Sequence, residues 1–159
     1  MRWYFSRPTS DSDTAFEEAV LDHLALFNLE NPNKDLHRTG YTQHGIEYLF
    51  FALSILPAYD GCICMKLPNG MWSAGVAREV SWFIKHKRVV LELFAQPVDD
   101  HWEFHLVRLQ SLNLARVCTV EQTRALVHHY QTRPNGGRSS VEDRMPPNWT
   151  NLGVEPVDT

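Results

Sequence analysis

Cysteine, long hydrophobic runs and an excess of positive charge are all scarce in this sequence, and each absence excludes a class of protein. Three cysteines in 159 residues do not support a disulfide framework. No stretch approaches the roughly 20 apolar residues of a membrane-spanning helix. The first residues lack the charged start and apolar stretch of a signal peptide. We therefore expect a cytoplasmic protein without membrane association.

The charge balance is slightly acidic, with 15 Lys and Arg against 19 Asp and Glu and a net charge of −4. This balance argues against a nucleic-acid polymer as partner, because such binders are usually basic. The hydrophobic and charged fractions, 43% and 21%, are those of an ordinary globular protein. A chain of this length forms one domain and buries enough surface to need no metal or disulfide for stability.

Apolar segments with strand-like and helix-like patterns alternate along the chain. The strand-like segments are residues 2–6, 59–67, 88–94 and 114–120. Residues 28–33 are short and polar, and they fall where a second, edge-like strand should end at a turn. The helix-like segments are residues 14–27, 44–56, 73–86, 99–112 and 121–130. Alternating elements of this kind imply right-handed βαβ crossovers. The sequence thus predicts an α/β fold, a doubly wound, mainly parallel five-stranded sheet of the Rossmann or flavodoxin type with helices on both faces.

The composition changes after residue 130, where glycine and proline become frequent and periodicity is lost. We assign residues 1–130 to the α/β domain and residues 131–159 to an extended or mobile C-terminal tail. His101 and His105 are four residues apart, so on the predicted helix over 99–112 they would share one face. No third ligand accompanies them at matching spacing, and we expect no metal site.

Ligands of open parallel sheets bind beyond the carboxyl ends of the strands. A helix beginning near Ser73 would point unpaired backbone N–H groups into that crevice and favour an anion such as phosphate. Gly75 would allow the ligand to approach the backbone closely. Glu79 follows one turn later on the same face as Gly75. This spacing predicts a carboxylate lying several ångström beyond a bound phosphate, near the sugar of a nucleotide.

A purely structural interpretation of the same residues remains open. Ser73 and Gly75 would then only begin a helix, and Glu79 would pair with Arg78, Lys85 or water. The spacing alone does not decide between the two interpretations.

The sequence resembles the nucleoside 2-deoxyribosyltransferase superfamily over roughly residues 3–95. The residues that carry the resemblance are Ser6-Arg7 after the first strand, the Asn31-Pro32-Asn33 turn, Asp60, and Ser73-x-Gly75-Val76-x-x-Glu79. It is most similar to the branch that hydrolyses 2′-deoxynucleoside 5′-monophosphates or modified cytidine monophosphates. One departure is Arg7-Pro8-Thr9, which stands where the family usually has a glycine-containing loop.

The resemblance implies roles for individual residues. Glu79 would be the catalytic nucleophile, and Asp60 would protonate the leaving base or orient water. Ser73 would bind the phosphate, while Tyr4 and Ser6 would contact the sugar or phosphate.

Two further side chains are candidates for substrate contacts. Arg7 follows the first strand at its carboxyl end, and the indole of Trp72 would either stack on a base or pack in the interior. The resemblance implies a homodimer and no cofactor. It also leaves two alternative functions open, base exchange between nucleosides and non-catalytic nucleotide sensing.

Overall fold

The computed structural model describes residues 1–30 and 55–154. Its strands and longer helices are, in chain order, β1 (Trp3–Ser6), α1 (Ala15–His23), β2 (Leu29–Glu30), β3 (Gly61–Cys64), α2 (Ala74–Lys85), β4 (Val89–Val98), β5 (His101–Arg108) and α3 (Val120–Gln131). The predicted Asn31-Pro32-Asn33 turn, and the predicted helix over 44–56 as far as residue 54, lie outside the described residues. None of the helices in the two described ranges is long and apolar enough to cross a membrane.

The strands form one open sheet in the order β2-β1-β3-β4-β5. The pairs β1–β2, β1–β3 and β3–β4 are parallel, whereas β4–β5 is antiparallel. Four strands are four to ten residues long, and β2 adds only two residues at one edge. The predicted α/β fold with a mainly parallel open sheet is therefore confirmed.

Side chains of the central strands alternate between two apolar clusters, as the two-residue period of a strand requires. One cluster joins even-numbered strand residues to the apolar side of α2, and it includes Tyr4, Cys62, Cys64, Val76, Val80, Phe83 and Val90. The other joins odd-numbered strand residues to α1, and it includes Trp3, Phe5, Phe16, Val20, Ile63 and Leu93. The alternation decides which β1 side chains meet α2.

The helix predicted over 73–86 is present as α2, and local sequence explains where it begins. The Ser73 side chain accepts the Val76 N–H at 3.3 Å and caps the helix. Its apolar residues recur at the helical spacing and face the sheet. The helix predicted near Thr14 is present as α1, because Thr14 caps it by accepting the Glu17 N–H. That helix ends at His23, before the predicted boundary.

Two predictions near residue 110 are wrong. Residues 99–112 are not helical, because β4 turns at Asp99 and Asp100 into β5. Asp99 adopts a left-handed conformation, with φ of 53°, as two-residue hairpin turns require. The apolar residues Trp102, Phe104 and Leu106 recur every second position, which is the strand period.

The final strand predicted over 114–120 is also absent from the described structure. A 3₁₀ turn occupies Leu114–Arg116, begun by the Asn113 side chain. Only an isolated bridge between Val117 and Trp72 remains of the expected pairing. The parallel sheet therefore ends at β4, and the fifth position belongs to an antiparallel strand.

Because residues 101–108 form a strand, His101 and His105 are not one helical turn apart. His101 and His105 lie on one face of β5, and four residues of a strand span roughly 13 Å. Two imidazoles at that separation cannot share a metal ion in the way that an i,i+4 helix pair can.

The C-terminal segment folds back over the loop that follows β1. Its residues form 3₁₀ turns at Pro134–Gly137, Glu142–Arg144 and Thr150–Leu152. The guanidinium of Arg138 donates two hydrogen bonds of 3.0 Å to the buried carboxylate of Asp11 and one of 2.6 Å to the Lys66 carbonyl. A charged pair therefore joins residues 131–154 to the domain, where the sequence predicts an extended or mobile tail.

Candidate active site

Glu79 lies on the side of α2 that faces β1. The Tyr4 hydroxyl donates to Glu79 Oε2, and the Ser6 hydroxyl donates to Glu79 Oε1 at 2.8 Å. Both carboxylate oxygens are thus held by separate hydroxyl groups. Part of the Glu79 side chain remains accessible to solvent, whereas Tyr4 and Ser6 are fully buried.

The two donors meet Glu79 because of strand geometry. Tyr4 and Ser6 are two residues apart on β1, so both side chains point to the face that α2 covers. The Tyr4 ring is fixed by edge-on packing on Tyr59, with centroids 5.1 Å apart, and by Phe83 at 6.0 Å. A buried, packed phenol presents its hydroxyl with little conformational freedom, which orients the carboxylate.

Burial raises the pKa of Glu79 to about 7, against the lowering effect of the Tyr4 and Ser6 hydrogen bonds. The nearby thiol of Cys62 is also buried, and desolvation first, then the charges of Cys64 and Glu79, keep its pKa well above the ordinary value. Cys62 therefore stays neutral beside Glu79. A carboxyl group with a pKa near 7 is partly ionised and partly protonated at neutral pH, as acid–base and nucleophilic groups in active sites often are.

Glu92, a second buried acid on the same side of the sheet, shows how a structural carboxylate is held here. Its Oε2 pairs with Lys66 Nζ at 3.2 Å, and Lys66 also lies over the Trp72 ring at 5.1 Å. Burial raises the pKa of Glu92 while Lys66 lowers it. Glu79, in contrast, has no cationic partner among the ion pairs of residues 1–30 and 55–154.

The raised pKa predicts an unusual dependence of stability on pH. Between the ordinary pKa near 4.5 and the folded value near 7, the folded state binds more protons than the unfolded chain, so stability falls as pH rises. We expect the free energy of unfolding of Glu79→Gln, relative to wild type, to increase by about 2–3 kcal/mol from pH 5 to pH 8. Urea denaturation at both pH values measures the difference.

The exposed acid Glu121 on α3 provides a matched control for this experiment. Glu121→Gln should leave the difference between pH 5 and pH 8 unchanged. A Glu79→Gln profile parallel to that of wild type would show that Glu79 titrates as an ordinary carboxylate.

The amino end of α2, expected to bind an anion, is partly occupied by protein groups. Ser73 is buried, and its hydroxyl accepts the Val76 N–H. The Ala74 N–H donates to the hydroxyl of Thr123 on α3 at 2.9 Å. Among the described residues, no acceptor faces the Gly75 N–H, and a Cβ at Gly75 would meet no atom within 4 Å. The open position at this helix end is therefore at Gly75.

Asp60 is not part of the arrangement around Glu79. It precedes β3 and stands at that strand's amino end, whereas Ser73 follows the carboxyl end. Its exposed carboxylate accepts the Arg2 backbone N–H at 2.7 Å, and its own N–H donates to the Arg2 carbonyl at 2.9 Å. In this structure Asp60 links the chain segments that precede β1 and β3, at the amino ends of these strands.

Arg7 and Trp72 both have structural partners. Arg7 is buried and forms an ion pair with Glu17 of α1. Trp72 is 2% exposed and belongs to the core cluster under α2. Its backbone N–H donates to the Arg116 carbonyl, and its carbonyl accepts the Cys118 N–H. Of the two roles considered for the Trp72 indole, the structure shows packing in the interior.

Sequence reasoning missed Thr123 and Cys62 as neighbours of the site. Thr123 lies on α3, 49 residues from the Ala74 amide that it caps, so no local pattern connects the two. Cys62 was assigned to the interior, as the structure shows, but its position beside Glu79 depends on the pairing of β1 with β3. Strand register was the missing signal.

Two concavities lie on the surface of the described residues, and Glu79 lines neither of them. One lies beside Asp13–Glu18 at the start of α1, and the other beside the β4–β5 turn and Ser139. No group of three potential metal ligands occurs in the described parts of the chain.

The fold and this arrangement define an α/β protein with a mainly parallel open sheet and a carboxylate held between a helix and the first strand. The chain matches no protein-family model, no curated protein and no solved structure. The chemistry proposed below therefore rests on the geometry around Glu79 and on the sequence resemblance.

Proposed function

We propose that this protein hydrolyses the N-glycosidic bond of a nucleoside 5′-monophosphate, with a ribose or deoxyribose sugar and possible modification of the base. One observation carries the proposal. The carboxylate of Glu79 is oriented by two buried hydroxyl groups, has no cationic partner among residues 1–30 and 55–154, and has a pKa of about 7. The proposal uses the doubly wound, five-stranded arrangement predicted from sequence, in which ligands bind beyond the strand ends.

The reaction is a double displacement. An ionised Glu79 oxygen attacks the anomeric carbon while the bond from that carbon to the base nitrogen breaks, through an oxocarbenium-like transition state. The leaving nitrogen takes the bonding electrons and a proton from solvent, and the water that attacks in the second displacement returns a proton to solvent. Water then attacks the anomeric carbon of the glycosyl ester, releases the Glu79 carboxylate and leaves a hydroxyl group on the sugar. The overall reaction consumes one water and yields free base and sugar phosphate.

Tyr4 and Ser6 position the nucleophile in this proposal. Their hydrogen bonds stabilise the ionised carboxylate against the cost of burial. These hydrogen bonds each use one lone pair of a Glu79 carboxylate oxygen, so they decide which lone pairs are left to attack the sugar. No metal or cofactor takes part in either displacement.

Tyr4→Phe tests this positioning role. Loss of one hydrogen bond that favours the ionised form should raise the pKa of Glu79, so the acidic limb of the rate profile should move to higher pH by about one unit. Activity at pH 7 should fall by about fivefold and recover almost fully at pH 9. The control is Tyr130→Phe, in a separate core cluster, which should leave the profile in place.

The phosphate of the substrate would meet the amino end of α2. The Gly75 N–H is its nearest open donor, and the Ser73 hydroxyl can still donate while it accepts from Val76. An anion at this end also interacts favourably with the helix dipole.

A second function, base exchange between free nucleosides, is favoured by one observation. Thr123 already takes the Ala74 N–H, so this helix end offers fewer donors to a phosphate than an uncapped helix would. A transferase acting on free nucleosides needs no phosphate site.

The deciding experiment supplies matched pairs of nucleoside 5′-monophosphates and free nucleosides and measures released base by chromatography. The hydrolase proposal expects base release from monophosphates and loss of at least about a hundredfold in kcat/KM without the phosphate. Base exchange with an added acceptor base, without net sugar release, would support the transferase. Neither release nor exchange from any pair would overturn both proposals.

A further inference from the structure

Within the part of the chain that the structure describes, no other strand pairs with the outer edge of β5. β5 pairs with β4 on one side and is the last strand of the sheet. We propose that this edge binds β5 of a second copy in antiparallel orientation and joins the two sheets into one. The proposal is independent of the chemistry assigned to Glu79.

The hydrogen-bonding direction of each β5 residue follows from the hairpin. In a two-residue hairpin the closing pair, Val98 and His101, exchanges backbone hydrogen bonds, and every second pair after it does the same. The Leu109 N–H donates to the Val90 carbonyl at 2.9 Å, which confirms that odd-numbered residues face β4. Backbone groups of Trp102, Phe104 and Leu106 therefore point away from the sheet.

These outward backbone groups have no hydrogen-bond partner in residues 1–30 and 55–154. Edge strands that remain single are usually protected by lysine, proline, a bulge or short length. β5 has eight residues, contains neither lysine nor proline, and keeps an unbroken register with β4. The edge thus has the properties of a pairing surface.

Two-fold symmetry restricts the possible registers. Two residues that stand opposite each other in the symmetric antiparallel pair must lie on the same face of the joined sheet. Only residues whose backbone groups point outward from β5 can exchange hydrogen bonds across the new pair. With Phe104 on the symmetry axis, Trp102 of one copy pairs with Leu106 of the other. The outward residue Arg108 also allows a register in which Trp102 pairs with Arg108, but His105 would then face His105. A shift in the other direction would place Glu103 opposite Glu103, so the side chains favour the register centred on Phe104.

This register also pairs a hydrogen-bond donor with an acceptor. Between the hydrogen-bonded positions, Glu103 of each copy stands directly opposite His105 of the other, at the closer type of cross-strand contact, where Cα atoms are about 4.5 Å apart. Both side chains are exposed. An imidazole donates an N–H to a carboxylate in either charge state, so the pairing forms twice across the axis.

The β5 edge is complementary to itself, because Glu103 and His105 face each other in both directions, and this identifies its partner as a second copy of the chain. An unrelated extended peptide could use the same backbone groups, but nothing would place a donor opposite Glu103 and an acid opposite His105 at once. Pairing along one strand buries less surface than a standard interface of roughly 1,600 Å². We therefore expect a reversible, concentration-dependent dimer.

Sedimentation equilibrium of the full chain over a hundredfold concentration range tests the proposal. Wild type should shift from monomer to dimer. His105→Glu places a carboxylate opposite Glu103 of the other copy, once on each side of the symmetry axis. This repulsion should weaken the dimer by at least about tenfold in Kd. Adding Glu103→Lys to that variant recreates opposite pairs and should restore wild-type association.

Gln131→Glu is the matched control, because it adds the same carboxylate to an exposed position on α3, outside the sheet. It should associate as wild type does. Amide exchange should slow at Trp102, Phe104 and Leu106 when the concentration rises. A monomer at every concentration, or a dimer that His105→Glu leaves intact, would overturn the proposal.

Discussion

Glu79→Gln is expected to abolish base release, with a loss in kcat of about a thousandfold or more. The amide has nearly the shape of the carboxylate. Its oxygen can accept from one of the two hydroxyl groups of Tyr4 and Ser6 and its NH2 can donate to the other, so the site should remain assembled. It lacks the ionised oxygen that attacks the anomeric carbon. Turnover should therefore be lost while nucleotide binding, measured by calorimetry, persists.

Glu92→Gln separates this expectation from a general need for buried acids. Glu92 lies on the same side of the sheet but pairs with Lys66, so its loss should affect stability more than the chemical step. A nucleotide-sensing protein without catalysis would show neither turnover in wild type nor any dependence on Glu79. Undiminished turnover in Glu79→Gln would eliminate the nucleophile assigned here.

Arg138→Ala is expected to destabilise the fold by about 3–5 kcal/mol, because it leaves the buried carboxylate of Asp11 without its cation. Asp11 is 1% exposed and Arg138 is 8% exposed. The same guanidinium also satisfies the Lys66 carbonyl at the end of β3. The substitution should shift the urea midpoint and increase proteolysis within residues 131–154.

Two control variants identify the buried pair as the cause. Arg124→Ala, an exposed substitution on α3, should change stability by less than about 0.5 kcal/mol. Arg138→Met combined with Asp11→Asn removes both charges and should recover part of the loss. If Arg138→Ala unfolds at the same urea concentration as wild type, the C-terminal segment contributes little to the stability of the domain.

Sequence reasoning succeeded where periodicity and capping act locally. The stretch from Ser73 to His86 has a capping serine, apolar residues at helical spacing and a basic end, and α2 forms there. It failed at residues 99–112, where Trp102, Phe104 and Leu106 fit a strand but were interpreted as a helix. The prior expectation of strict strand–helix alternation outweighed the two-residue period, and the turn at Asp99-Asp100 was missed.

The candidate site shows the same division. Glu79 was identified from its distance to Ser73 and Gly75, and Tyr4 and Ser6 were expected near the substrate. Their hydrogen bonds to Glu79 could not be derived, because they depend on how α2 crosses β1. The sequence prediction put Asp60 in the site, but Asp60 precedes β3 and therefore lies at the amino end of that strand, opposite the end where Ser73 lies.

The sequence by itself determined the α/β class, the parallel core strands and the helix that carries Glu79, because each depends on residues close together along the chain. Only the tertiary structure decided that β1 supplies both hydroxyl partners of Glu79 and that Thr123 covers the Ala74 amide. It alone showed that Arg138 neutralises Asp11. These contacts join residues 49 to 127 positions apart, and packing and strand register, rather than local preference, bring such residues together.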